Sequence, residues 1–125
     1  MLKKPTDAEL EVLQILWKLG PSTVRTVNKE LSKNREVVYT TTLKMMQVMV
    51  DKGFLSRDTS RRTHLYQAEI DQSEIQHTLL DKLLSSAYEG SPLRLVVHAL
   101  GHKKTSAKDL EEIKKIIDQL EKKKK

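Results

Sequence analysis

Small hydroxyl and methyl side chains, together with one lysine, share one face of the segment between residues 37 and 48. At the period of an α-helix, this face has no acidic residue near its start. Its members are Val37, Thr40, Thr41 and Lys44, followed by Val48. Threonine hydroxyls bond base edges with either polarity, threonine and valine methyls contact the thymine methyl, and lysine reaches guanine or a phosphate. The face therefore predicts a helix that reads a DNA major groove; an ordinary solvated surface is the alternative.

Basic residues lie on both sides of this segment in the sequence. They are Arg25, Arg35, Arg57, Arg61, Arg62 and His64. Arg25 and Arg35 are expected to hold the DNA backbone and fix the register of the helix. The other four lie on a short predicted hairpin, from which arginines contact phosphates or enter a narrow minor groove. This basic hairpin favours DNA binding over a merely solvated face.

The net charge is consistent with such a partner. The 125-residue chain has 23 lysines and arginines against 17 acidic residues, a net charge of +6. Residues 1–70 hold 12 basic and 8 acidic side chains, whereas residues 71–121 are slightly acidic and Lys122–Lys125 are all basic. A polyanion such as double-stranded DNA is therefore expected to bind the first 70 residues. Ordinary solubility is the alternative explanation of this charge.

Residue patterns that would indicate an enzyme or a metal site are absent from the sequence. The chain has no cysteine, which excludes disulfides, thiolate metal ligands and a cysteine nucleophile. It has no glycine-rich phosphate loop and no nucleophile elbow. His98 and His102 have the spacing of metal ligands, but no HExxH motif accompanies them and few carboxylates lie nearby. We therefore predict a protein that is not an enzyme and uses no cofactor and no metal.

The longest apolar runs are only a few residues, against the ~20 that span a bilayer. Residues 1–10 also lack the apolar core of a secretory signal. We expect a soluble cytoplasmic protein with no membrane partner.

Helix start and stop signals divide the first part of the chain. A capping box of Thr6 and Glu9 predicts the start of a first helix, which Gly20-Pro21 ends. Ser22 is expected to cap a second helix that runs to about Lys33.

A third helix is predicted over residues 38–52, ended by Gly53. The side chains expected on its core face are Tyr39, Leu43, Met46 and Val50. Two short β-prone runs follow, at 54–58 and 63–68, and predict a hairpin. Three helices followed by a basic hairpin predict a winged helix-turn-helix domain over residues 1–70, in a chain that is mainly α with a small β-wing.

Residues 71–125 are predicted to form a helical dimerisation region. Helices are expected over 73–88 and 93–100, with Gly101 as a stop, and again after a cap at Ser106. The apolar side chains expected at the dimer interface are Leu79, Leu80, Leu83, Leu84, Leu95, Val96, Leu100, Leu110, Ile113 and Ile117. A region of this length rarely folds alone. We therefore predict a homodimer in which the two copies bury these apolar side chains against each other.

Several short motifs follow one another in a specific order. TDAELEVL at residues 6–13, followed by Leu16-Trp17, looks like the opening helix of the BlaI/MecI-type penicillinase repressors. YTTTL at residues 39–43 resembles their recognition helix, and KGFL at residues 52–55 resembles its exit into the wing. Tyr66 and the segments 89–97 and 106–113 extend the similarity over nearly the whole chain. This resemblance implies a dimeric winged-helix repressor that binds a palindromic operator.

The resemblance also implies a regulatory protease as a partner, with two departures from the family pattern. Copper-responsive members end in a cysteine-rich tail, and the absence of cysteine excludes that branch. The β-lactam-responsive members are cut at an Asn-Phe bond, and His98-Ala99 stands at that position here. This replacement argues against relief by the same cleavage.

A winged helix that binds another protein without specific DNA contacts is the alternative function. Salt dependence separates the two functions, because phosphate contacts release counterions and weaken steeply as the salt concentration rises.

Overall fold

The computed structural model describes residues 4–102 and 104–124, which form six helices and a two-stranded sheet. The helices are α1 (Asp7–Leu19), α2 (Val24–Leu31), α3 (Tyr39–Asp51), α4 (Gln72–Ala87), α5 (Pro92–His102) and α6 (Ala107–Lys123). The strands β1 (Leu55–Asp58) and β2 (Leu65–Ala68) pair antiparallel between α3 and α4. This order confirms the predicted fold class, a mainly α winged helix-turn-helix with a small β-wing.

The first helix begins with the predicted capping box. The Thr6 backbone N–H donates to Glu9 Oε1 at 2.9 Å, and the Glu9 backbone N–H donates to Thr6 Oγ1 at 3.1 Å. The Glu9 side chain is buried, and Lys52 Nζ donates to its Oε2 at 2.8 Å. Because Lys52 is the C-cap of α3, this ion pair holds the start of α1 against the end of α3.

The prediction that Ser22 caps α2 was wrong. Thr23 is the N-cap, and its hydroxyl accepts a hydrogen bond from the Thr26 backbone N–H at 3.1 Å. Ser22 pairs instead with β2, since its backbone N–H and C=O both bond the backbone of Tyr66, at 2.9 and 2.8 Å. The wing is therefore tied directly to the residue that precedes the cap of α2.

The core-facing side of α3 agrees with the predicted one at Met46, which is buried, and at Leu43 and Val50, which pack partly buried against the core, but not at Tyr39. The fully buried side chains of α3 are Thr42, Met46 and Met49, whereas Tyr39 is 46% exposed. Thr42 is buried at no cost in hydrogen bonds, because Asn28 Nδ2 of α2 donates to its hydroxyl at 2.9 Å. This contact rotates α3 so that the predicted core residue Tyr39 lies at the surface.

The wing follows α3 through Gly53, whose φ of +85° strongly favours glycine. In the hairpin, Leu55 pairs with Ala68 and Arg57 pairs with Tyr66. The tight reversal at Gly53 therefore brings the hairpin back beside the helix it follows.

The apolar core belongs to one compact unit, which ends at His77. The core consists of Val12, Leu13, Leu16, Val24, Val27, Leu31, Met46, Met49, Phe54, Leu55 and Tyr66. Trp17, half-buried at its edge, donates from Nε1 to the Ile70 carbonyl at 2.9 Å. Ile75 of α4 is also buried in this unit, so its packing continues past residue 70.

The second compact unit begins at Thr78 and has no buried side chain among its described residues. Gly101 does not end a helix as predicted, since α5 continues to His102. Ser106 caps α6, with its hydroxyl accepting from the Asp109 backbone N–H at 3.0 Å. Within residues 4–102 and 104–124, no helix combines the length and the apolar character that crossing a membrane requires.

The ion pair between Glu9 and Lys52 should make folding stability depend on pH. Burial by itself raises the pKa of Glu9. The hydrogen bonds from Lys52 and from the Thr6 backbone together lower the pKa by more than burial raises it, so it lies below its ordinary value of 4.5. The carboxylate thus stabilises the fold above that pH, and this contribution is lost as the pH falls through the lowered pKa. We expect Lys52→Met to cost about 1–2 kcal/mol in urea unfolding at neutral pH, because Glu9 stays buried with one donor fewer.

The cost of Lys52→Met should shrink in acid, once the pH has fallen through the lowered pKa of Glu9, because a protonated Glu9 carries no charge for Lys52 to pair with. Lys33→Met is the matched control, because its ion pair with Glu30 lies at the surface and its loss should change stability much less. An equal cost of Lys52→Met at neutral and at acid pH would contradict the assigned role of the pair.

Candidate nucleic-acid interface

The outer face of α3 carries the side chains that the sequence placed there. Thr40, Thr41 and Lys44 are exposed, and Val48 is partly exposed beside them. Val37, in the preceding loop, is half-buried, and its carbonyl accepts a hydrogen bond from Asn28 Nδ2 at 2.9 Å. The first turn of α3 contains no acidic residue. The start of this face therefore presents no carboxylate to an anionic polymer.

Asn28 determines how α3 is presented. Its amide donates to the Val37 carbonyl and to the Thr42 hydroxyl, both at 2.9 Å. One side chain of α2 thus holds the loop before α3 and the first turn of α3 together. The exposed threonines on the opposite side of that turn are positioned by this contact.

Three of the predicted basic residues are brought together. Arg25 of α2 and Arg62 and His64 of the wing line one surface cleft with Tyr39 of α3. Arg57 and Arg61 are exposed on the same hairpin but do not line this cleft. The structure thus joins residues that are nearly 40 positions apart in the sequence, and it adds Tyr39, which the sequence analysis had assigned to the core.

The turn of the wing is shaped by Asp58, whose carboxylate accepts a hydrogen bond from the Ser60 backbone N–H at 2.9 Å. Hydrogen bonds from Ser60, helped by the nearby charges of Arg61 and His64, hold the pKa of Asp58 below its ordinary value. An ionised Asp58 keeps the turn that carries Arg61 and Arg62 in its folded shape.

The structure places Arg35 elsewhere. Its guanidinium forms a bidentate ion pair with Glu11 of α1, at 3.0 and 3.1 Å. Arg35 lines a different depression, together with Lys18 and Glu30, and not the cleft that contains Arg25. We therefore leave Arg35 out of the interface that we propose.

Ion pairing separates two groups of basic side chains in the first unit. Lys33, Arg35 and Lys52 pair with Glu30, Glu11 and Glu9 at 2.8–3.0 Å. In the described part of the chain, no carboxylate lies within ion-pair distance of the basic side chains that remain in the candidate interface. These are Arg25, Lys44, Arg57, Arg61, Arg62 and His64. The fold thus leaves the basic side chains of the outer face of α3, the start of α2 and the wing without ion-pair partners among the described residues. Asp58 is the carboxylate whose pKa is lowered by the hydrogen bonds from Ser60 and by the charges of Arg61 and His64.

His98 and His102 lie in α5, outside this interface. His98 Nδ1 is 3.3 Å from the Tyr88 hydroxyl, and the two rings meet edge to face. Over residues 4–102 and 104–124, no three histidine or carboxylate side chains come close enough together to hold a metal ion.

Comparison with known proteins decides the family. The model of the penicillinase repressor family matches residues 5–119 of this chain. The chain belongs to the penicillinase repressor family. This confirms the resemblance found in the sequence and the interpretation of the chain as a DNA-binding transcriptional repressor.

Relatives match along most of their own length. The penicillinase repressor of Bacillus licheniformis is 28% identical over 96% of this chain and 94% of its own length. The transcriptional regulator BlaI of Mycobacterium tuberculosis is 27% identical over 92% of this chain and 83% of its own length.

Two solved structures resemble this chain over different shares of its length. The monomeric form of Bacillus licheniformis BlaI, in complex with the blaP half-operator, is 32% identical with a TM-score of 0.51, over 59% of this chain and 90% of that one. A MarR family protein from Bacillus stearothermophilus matches 97% of this chain and 76% of its own, with a TM-score of 0.57. Its 15% identity limits that likeness to the fold.

The sequence predicts that Arg25 and Arg35 both contact the DNA backbone, but the structure predicts that their substitution changes the affinity for DNA to different extents. Arg25→Ala should lower the affinity for duplex DNA about tenfold, because a phosphate contact is lost. Arg35→Ala should change it little, because the guanidinium is paired with Glu11. Fluorescence anisotropy with the promoter of the protein's own gene measures both affinities. Equal losses in the two variants would contradict this division.

Proposed function

We propose that this protein represses transcription by binding, as a homodimer, to a palindromic operator in double-stranded DNA. The outer face of α3 reads base edges in the major groove, and the wing and the start of α2 hold the backbone. The protein acts as a regulator without catalytic activity of its own. Since a repressor works at the chromosome, we place it in the cytoplasm.

The observation that carries this proposal is that Arg25, Arg62 and His64, which have no ion-pair partner among the described residues, meet in one cleft with Tyr39 of α3. Lys33, Arg35 and Lys52 are each paired with a carboxylate, whereas Arg25, Lys44 and the basic side chains of the wing form no ion pair in the described residues. Lys18 and Lys29 also form no ion pair among these residues, but they do not line the cleft. Backbone phosphates supply the missing negative charge, and their contacts position the protein on the duplex. The half-operator complex of the related Bacillus licheniformis BlaI supports the same partner.

The homodimer is supported by the exposed apolar side chains of the second unit. Leu93 is 73% exposed, and Ile116, Ile117 and Leu120 are each more than half exposed. A single chain that leaves so much apolar surface in water lacks the burial that stabilises most folds. A second copy offers the same stripes in a closed two-fold arrangement, and two linked reading helices then match the two halves of a palindrome.

Relief of repression would follow from any event that separates the two copies. We propose cleavage between Leu95 and Leu100 by a regulatory protease whose specificity differs from that for an Asn-Phe bond. This stretch is helical in α5, so α5 must open locally before a protease can bind it. A signal that acts without proteolysis is the second route.

Operator recognition is tested by substitutions in α3 and the wing. Thr41→Ala or Lys44→Ala should cost about 1–3 kcal/mol at particular base pairs, because a base contact is lost there. Arg61→Ala should weaken the binding of all sequences alike, because a phosphate contact carries no sequence information. Gel shifts with the promoter of its own gene, point-mutated along the site, measure both effects. An equal affinity for random DNA at moderate salt would leave the protein-interaction alternative.

The role of the second unit is tested by a charge in its apolar stripe. Leu83→Lys should separate the dimer and lower operator affinity strongly, because the half-sites are no longer bound by one linked molecule. Ser85→Lys adds the same charge to an exposed polar position of α4 on the side away from Leu79 and Leu83 and serves as the control. Sedimentation equilibrium measures the oligomeric state. A monomeric wild-type chain, or a Leu83→Lys variant that stays dimeric, would overturn the proposal.

The proteolytic route is tested in cells treated with a cell-wall antibiotic. Mass spectrometry of the chain should then detect fragments that end between Leu95 and Leu100. Derepression of the target promoter while the 14.4 kDa chain stays intact would exclude proteolysis.

A further inference from the structure

A cleft of about 520 Å³ lies between the start of α2, the start of α3 and the wing. The first turn of α2 contributes Thr23 and Arg25, and α3 contributes Tyr39. The wing contributes Arg62 and His64, with Thr63 between them. The cleft is thus formed by three elements of the first unit, each of which belongs to the candidate interface.

The chemistry of this lining suits an oxyanion. Three of its side chains are basic, and two threonines and two tyrosines add hydroxyl groups. No aspartate or glutamate lines it, and no carboxylate of the described residues forms an ion pair with Arg25, Arg62 or His64. Guanidinium and hydroxyl donors that converge without a carboxylate match the acceptor oxygens of a phosphate.

The walls of the cleft are held in place before any ligand binds. Tyr66 and Val24 lie at its base and are almost fully buried. The two backbone hydrogen bonds between Ser22 and Tyr66 join the wing to the residue before Thr23. Because the wing and α2 are already fixed to each other, the backbone around the cleft loses little conformational entropy when a ligand binds.

Tyr39 is the side chain that α3 contributes to the polar lining of the cleft. It is 46% exposed, unlike Thr42, Met46 and Met49 of the same helix, and it lines the cleft. Thr40 follows at about 100° around the helix, toward the base-reading face. A ligand against Tyr39 therefore lies beside the side chains that read bases.

We propose that this cleft binds a single phosphodiester group of the operator backbone, with the Tyr39 hydroxyl and the Arg25 and Arg62 guanidinium groups as donors. The inference rests on the proposed function and adds a contact that fixes the distance between the wing and the reading helix. The phosphate held there sets the register at which Thr40, Thr41 and Lys44 meet the bases.

The test replaces one operator phosphate at a time with a neutral methylphosphonate and measures binding to the full-length protein. At one position in each half-site, the methylphosphonate should lower the affinity of the wild-type protein for the operator about tenfold. In Arg62→Ala the same replacement should cost about twofold or less, because the partner of that phosphate is already gone. The exposed Lys18 of α1 lies outside the cleft, and Lys18→Ala should show the wild-type loss.

Tyr39→Phe keeps the ring and removes only the hydroxyl donor, so it separates hydrogen bonding from packing. It should lower operator affinity several-fold and reduce the methylphosphonate effect at the same position, with an unchanged circular dichroism spectrum. Arg62→Ala should also reduce the salt dependence of binding by about one unit of slope. Specific binding with no methylphosphonate position coupled to Arg62 or Tyr39 overturns the inference but leaves the proposed function standing.

A free phosphorylated ligand is the other source of the same chemistry. Sodium pyrophosphate should displace DNA no better than sodium chloride of equal ionic strength. Stronger displacement in the wild type that disappears in Tyr39→Phe would assign the cleft to a soluble ligand and overturn the DNA assignment. A wild-type chain without specific DNA binding would refute the proposed function itself.

Discussion

The candidate DNA-binding surface depends on the amide of Asn28. This side chain donates to the Val37 carbonyl and to the hydroxyl of the fully buried Thr42. A buried hydroxyl without a partner would be costly, so the contact both permits the burial of Thr42 and fixes the rotation of α3 about its axis. Thr40, Thr41 and Lys44 point outward, and Tyr39 lines the cleft, as consequences of that rotation.

A second constraint joins the wing to the helices. The backbone pairing of Ser22 with Tyr66 adds a third short piece of chain to the two-stranded hairpin. An isolated two-stranded hairpin is marginally stable, so this pairing and the burial of Tyr66 hold the wing in place. The cations that the hairpin carries are thereby held at a fixed place relative to Arg25.

The two units of the chain reach stability in different ways. The first has a closed apolar core and an ion pair, between Glu9 and Lys52, that locks the start of α1 to the end of α3. The second has no buried side chain among its described residues. Our proposal of a homodimer connects this difference to function, because a unit completed only by a second copy makes tight DNA binding depend on assembly. Regulation would then act on the weaker unit and leave the reading helix unchanged.

The sequence by itself determined the order of the elements and the helix start at Thr6, because short-range interactions decide them. It also indicated the family, because the family's motifs are short and follow one another along the chain. Capping by Thr6 and Glu9 acts over three residues, and apolar periodicity acts over a few turns. The exposure of Thr40, Thr41 and Lys44 could be predicted for the same reason. Their contacts with DNA stay a prediction.

Only the tertiary structure decided the positions of Ser22, Arg35, Tyr39 and Lys52. Ser22 pairs with Tyr66, Arg35 with Glu11 across 24 residues, and Lys52 with Glu9 across 43. Tyr39 is exposed because a hydrogen bond from Asn28 to Thr42 favours another face of α3 for burial. Each of these side chains could satisfy several local patterns equally well, and the partner that selects one of them comes close only when the helices pack.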